Sequence, residues 1–175
     1  MITNALALAF ARQALADFRT YQFLEQTTVE RREPIPVCHR LLFLQMGCEK
    51  LSRARLYRQA SDLDQVKELH TYTEKQLPII LRETYARQFR HSAAPHLMQS
   101  WRDLAAAVQV LAPAAEAGGA RPDNCEYPWT TMDGIVLSPL EYRFDCARLL
   151  REPGGTTFLK VLEISLESAV REYER

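Results

Sequence analysis

The stretch RQFRHSAAPH, residues 87–96, carries two arginines and two of the four histidines of this 175-residue chain. A guanidinium matches the geometry of a phosphate, and an imidazole titrates near neutral pH. Arg90, His91 and His96 therefore hold the groups needed to bind an anion or to move a proton beside one. Pro95 suits the first position of a helix, which puts His96 in the first turn among free N–H groups that favour anions. The plainer reading of the same residues is a solvated turn between two helices. Arg87 and Arg90 then serve the dipole at the end of the first helix, and Ala93, Ala94 and Pro95 add no further polar group.

Other polar groups compete for attention. Arg121, Asp123, Asn124 and Glu126 fall within ARPDNCEY, where a carboxylate pair beside an asparagine can hold a ligand or a cation. Asp and Asn also cap their own turns, which is their commoner use. His39 and His70 could join His91 or His96 on a metal. No pair has the i, i+4 spacing that places two imidazoles on one helix face, and no carboxylate completes a set, so no metal and no cofactor are expected. Tyr127, Trp129, Tyr142 and Phe144 could offer a stacking platform for a base, or tuck a loop back onto the protein. Arg53, Arg55 and Arg58 read as a solvated basic helix end, and only secondarily as a phosphate contact.

The elements that must position these residues read as helices. Residues 4–27 show apolar groups near helical spacing, with Thr3 or Asn4 available as a cap and Pro34 and Pro36 forbidding continuation. Pro36 can open a second helix whose first half (Leu41, Leu42, Phe43, Leu44, Met46) is apolar almost all round, the mark of a central bundle helix. After a polar connector, a third helix runs from about Glu74 to Phe89. Thr73 and Gln76 resemble a capping box, and Pro78 is expected in the first turn or at a kink. A fourth helix is expected from Pro95 to about Glu116, leaving at Gly118-Gly119. Residues 117–140 are rich in turn formers, and WTTMDGIVL suggests a small hairpin about Asp133-Gly134. SPLE, residues 138–141, spells a capping box for a short helix that stops near Pro153-Gly154-Gly155. A last helix occupies residues 157–174. The pattern predicts a single all-α domain over residues 1–175, an up-and-down bundle with one ordered loop or hairpin excursion.

Composition bounds what such a bundle can do. Twenty-two basic residues balance 22 acidic ones, so a polyanion would have to be met by a local basic cluster. No apolar run is long enough to span a bilayer, and the N-terminal residues lack the basic start of a signal peptide. The expectation is a cytoplasmic protein with no membrane contact. Its four cysteines form no CxxC pair and read as buried free thiols.

CHRLLFLQMGCEKLSRARL followed by HTYTEKQLPIILRE resembles a HEPN domain, the nucleotide-binding domain of higher eukaryotes and prokaryotes. The match lies in Glu49, Lys50, Leu51, Arg53 and Ala54 after the apolar run. From residue 38 to about 145, including the RPDNCEYPW loop, the chain is similar to uncharacterised bacterial HEPN-like proteins. That resemblance implies a helical bundle acting in toxin–antitoxin or defence settings through RNA, a nucleotide or a protein partner, as a non-catalytic accessory. HEPN ribonucleases carry an arginine, a polar residue and, a few residues on, a histidine near the start of a late helix. Arg90, His91 and His96 fit that order, which implies as the alternative a metal-independent endoribonuclease working at a homodimer interface. A purely structural homodimeric bundle remains a third reading.

Overall fold

The computed structural model describes residues 2–31, 34–60, 72–113 and 124–175. In chain order these form α1 (Ile2–Arg31), α2 (Val37–Gln59), α3 (Tyr72–Phe89), α4 (Pro95–Gln109), the strands β1 (Trp129–Thr130) and β2 (Val136–Leu137), α5 (Asp145–Leu149) and α6 (Pro153–Tyr173). The expected all-α bundle with a small hairpin excursion is what forms.

Small residues explain the most extensive interface, between α1 and α2. Ala7, Ala11 and Ala14 repeat on one face of α1 and are fully buried. Ala14 faces Gly47 on α2, where an added Cβ would lie 3.2 Å from the Ala14 carbonyl oxygen. Glycine in a helix interior is unfavourable by roughly 0.5–1 kcal/mol relative to alanine. Here it lets two backbones approach closely, and the apolar burial on either side offsets that cost. Polar links cross the same seam: Lys50 donates to Asp17 at 2.5 Å, and Arg40 to Glu25 at 2.6 Å.

As its pattern predicts, α2 is the central helix, touching α1, α3, α4 and α5. Leu41, Leu44, Cys48 and Leu51 are all at most 2 % exposed. They join Phe18, Leu77, Leu81, Trp101, Leu104, Phe158 and Leu162 in one core. A buried hydrogen bond between Ser165 and Thr84 at 2.9 Å ties α6 to α3.

Several helix ends differ from expectation. Helix α1 extends through Arg31, because the charged residues after Thr27 are adequate helix formers and nothing stops the chain before Pro34. Pro36 is the residue before the first helical one, with extended backbone, rather than the first itself. Thr73 lies inside α3 and does not cap it; its backbone N–H donates instead to Gln109 on α4 at 3.0 Å. Pro78 falls beyond the first turn of α3. Helix α4 ends at Gln109, earlier than Glu116, and Gly118-Gly119 lies outside the described residues.

SPLE makes a turn instead of a helix start. Ser138 Oγ accepts from the N–H of Leu140, and its carbonyl accepts from the N–H of Glu141. The short α5 begins only at Asp145. Conversely, Pro153-Gly154-Gly155 opens α6 instead of closing a helix, with Pro153 in the first turn. Gly155 packs against the α5 exit so closely that a Cβ would meet the Leu149 carbonyl oxygen at 2.4 Å.

The hairpin is antiparallel, pairing Trp129 with Leu137 and Thr130 with Val136. Gly134 takes the positive φ of 78° that its turn requires. Trp129 is buried and anchors the excursion, packing edge-on to Tyr142, which packs edge-on to Phe144. The aromatic residues therefore tuck the loop back onto the bundle, except Tyr127, which is 52 % exposed.

Candidate functional site

The turn from α3 into α4 holds the three residues singled out for chemistry. Helix α3 ends at Phe89 and is followed by Arg90, whose N–H donates to the Ala86 carbonyl at 3.0 Å while its φ is +58°. This is the left-handed helix ending usually made by glycine. Arg90 is the sole non-glycine with positive φ among the described residues. Its side chain is exposed.

His91 follows, exposed, with Nδ1 3.2 Å from the carbonyl oxygen of Ser92. Its ring stands edge-on to Tyr85 at 5.3 Å between centroids. Tyr85 in turn contacts Phe89 and the fully buried Trp101, so the corner rests on an aromatic stack rooted in the core. Ala94 precedes α4 without a side-chain cap, Pro95 opens the helix, and His96 is exposed in its first turn. Arg90 and His91 thus follow the end of α3 and His96 lies in the first turn of α4, all three exposed. Among the described residues no carboxylate pairs with any of them.

The other sequence candidates separate into distinct roles. Asn124 is fully buried and serves its own loop: Oδ1 accepts from the N–H groups of Glu126 and Tyr127, and Nδ2 donates to the Tyr127 carbonyl. Glu126 is exposed, while Arg121 and Asp123 lie outside the described residues. His39 is exposed on the first turn of α2, and His70 is also outside the described residues. No group of three potential metal ligands occurs among the described residues. No helix of the described residues is long and apolar enough to cross a membrane.

The basic end of α2 is only in part the solvated face expected of it: Arg58 is exposed, while Arg53 and Arg55 are half-buried. Arg53 pairs with Glu49 at 2.7 Å, and Arg55 grips Glu83 on α3 with both terminal nitrogens. Arg58 donates to Asn4 and lies over the Tyr173 ring. Arg55 and Arg58 thus link α2 to neighbouring helices, while the Arg53–Glu49 pair lies within α2. All four cysteines are free and buried. Burial pushes the Cys146 thiol up to about 12 and the Cys48 thiol well above its ordinary range, which keeps both protonated and unreactive.

A feature not evident in the sequence is a groove of about 280 Å³ between α3 and α4. Lys75 and Arg82 stand on one wall and Arg102 on the other, over Pro78, Ile79 and Met98. The signal for it is faint: basic residues seven apart on α3, plus one on a helix whose alignment with α3 no local pattern reveals.

Comparison with protein-family models, with curated proteins and with solved structures finds no match to this chain. Its class is therefore defined by what it shows, an all-α bundle with a cationic, imidazole-bearing corner.

Proposed function

We propose that this chain is a non-catalytic binding module of the HEPN-like type, taking RNA or a nucleotide, with Arg90, His91 and His96 at its contact edge. The observation that carries this reading is the backbone of Arg90. A left-handed conformation costs a non-glycine residue roughly 1–2 kcal/mol. Glycine would relieve the strain, yet the position holds a guanidinium aimed at solvent. Strain of this kind concentrates where a side chain serves something other than stability. Beside it, the uncapped first turn of α4 offers free N–H groups of the kind that attract anions.

Binding is favoured over catalysis because the exposed imidazoles lack an orienting carboxylate among the described residues, and the His91 Nδ1 is engaged by a main-chain carbonyl. A protein partner in a toxin–antitoxin or defence setting fits the resemblance but no particular contact surface. The alternative, a metal-independent endoribonuclease, draws support from Arg90, His91 and His96 all lying exposed about the α3–α4 connection. It requires a homodimer that brings two such connections together, since one supplies too few groups to hold a phosphate and transfer two protons.

One experiment separates these readings. Labelled single-stranded RNA is incubated with the pure protein in chelator, and both retention and cleavage are followed for wild type, Arg90→Gly and His96→Ala. Retention without cleavage, weakened in Arg90→Gly, is the expected result. Cleavage abolished by His96→Ala would establish the nuclease instead, and neither retention nor cleavage would remove both.

A further inference from the structure

The geometry points to a phosphate-binding site in the α3–α4 groove, formed by Lys75, Arg82 and Arg102, that receives the phosphates of the nucleotide or RNA ligand. The inference rests on the binding function proposed above and adds a location the motif residues do not provide.

The two walls are aligned by contacts at both ends of the groove. The Thr73 N–H meets Gln109 at one end, and Tyr85 packs edge-on to Trp101 toward the other. Running antiparallel between those contacts, α3 and α4 carry Arg82 and Arg102 at similar height on opposite sides. Lys75 lies seven residues before Arg82, a rise of about 10 Å along the helix. Three cations are therefore strung along one channel with an apolar floor.

What sets them apart is their placement: three cations line one groove, although Arg82 stands near enough to Glu83 to help lower its pKa. Arg12, Arg40, Lys50, Arg53, Arg55 and Arg87 all pair with carboxylates elsewhere in the bundle. Among the described residues, Lys75, Arg82 and Arg102 make no salt bridge or hydrogen bond. Glu83, next to Arg82 in the chain, is already held by Arg55. Two guanidinium groups facing each other across a groove repel until an anion enters, and a phosphate accepts bidentate hydrogen bonds from each.

Glu74, beside Lys75, adds one negative charge to this wall. It lies eight residues before Arg82, about 12 Å away along the axis, so it weakens the Lys75 end and leaves the arginine pair intact. Arg90 lies eight residues beyond Arg82, about 12 Å further along α3. A strand whose phosphates occupy the arginine pair can continue to that corner, while Pro78, Ile79 and Met98 give a base an apolar surface.

The test measures binding of a labelled short single-stranded oligouridylate, with UDP and inorganic phosphate as competitors, across a salt series. Proteins compared are wild type, Arg82→Gln/Arg102→Gln, Glu74→Gln, and Arg143→Gln/Arg151→Gln as a control of equal charge change outside the groove. Circular dichroism melts confirm folding of each. The double groove variant should bind roughly tenfold or more weakly, the loss of one good charge-assisted contact being of that order. Its salt dependence should be shallower by about 1.4, at about 0.7 per phosphate contact on a single strand. The control should match wild type, and Glu74→Gln should bind more tightly. Competition by UDP would identify a free nucleotide as sufficient, and oligonucleotide binding without UDP competition would identify a strand; either supports the site. Wild-type affinity and salt slope in the double variant would overturn the groove and leave the binding function at the Arg90 corner. No binding by wild type to any probe, even at low salt, would overturn both.

Discussion

Arg55 on α2 holds both carboxylate oxygens of Glu83 on α3, at 2.6 and 3.0 Å. That hydrogen bonding is the main cause of a Glu83 pKa below its ordinary value. A carboxyl with a lowered folded-state pKa contributes stability above its unfolded value, about 4.3, and loses it as pH falls through the lowered one. Glu83→Gln should therefore cost stability near neutral pH and cost nothing once the wild-type carboxyl is protonated. Because the Glu83 side chain is 44 % exposed, solvent screens the pair, and the difference at neutrality should be about 1 kcal/mol or less. Denaturant melts of both proteins from neutral to acid pH check this; parallel curves would show that the pair contributes no pH dependence.

Gly155→Ala should destabilise by roughly 1–3 kcal/mol or more, since its Cβ would collide with backbone atoms of Leu149 and Leu150 that cannot rotate away. Gly134→Ala is a contrasting control. Nothing lies within 4 Å of its Cβ, and only the positive φ opposes it, at about 1 kcal/mol. Chemical denaturation of the two variants measures the difference, and equal losses would refute the close approach.

Trp129→Ala should cost roughly 3–5 kcal/mol, as for a large buried aromatic side chain, whereas Tyr127→Ala should change stability within about 0.5 kcal/mol. The same melts compare them. A silent Trp129→Ala would mean that the hairpin is not anchored through its first strand.

Arg90→Gly separates stability from recognition. Removing the strained side chain should stabilise the fold by up to about 1 kcal/mol, because glycine adopts the left-handed ending at no steric cost, although it adds entropy to the unfolded chain. The same variant should bind RNA more weakly. A thermal melt beside a binding curve reads both; a variant less stable than wild type would assign Arg90 a structural role.

The bundle was legible in the sequence because α2 is apolar around most of its circumference, a pattern that only a central helix sustains. Local signals failed where neighbours decided. Pro153-Gly154-Gly155 reads as a helix stop, yet it opens α6, and its second glycine is required by the backbone of a different helix. SPLE has the residues of a capping box, but the chain turns again before α5 begins at Asp145. The exposed corner at Arg90, His91 and His96 was visible as a break between two helices. Which cations lack carboxylates was not visible, since Arg55 and Arg82 look alike in sequence and differ only in what the neighbouring helix brings: α3 offers Arg55 a glutamate, and α4 offers Arg82 another arginine across the groove.

The four buried thiols give the molecule a built-in record of its own opening. Cys38 and Cys48 sit at two depths of α2, Cys125 where the loop docks on the Leu111 carbonyl, and Cys146 in α5. A thiol reagent can reach each only when its own surroundings come apart, so labelling rates rank local against global unfolding. Cys125 reacting well ahead of Cys48 would mark the hairpin region as a unit that lifts away while the helices stay assembled.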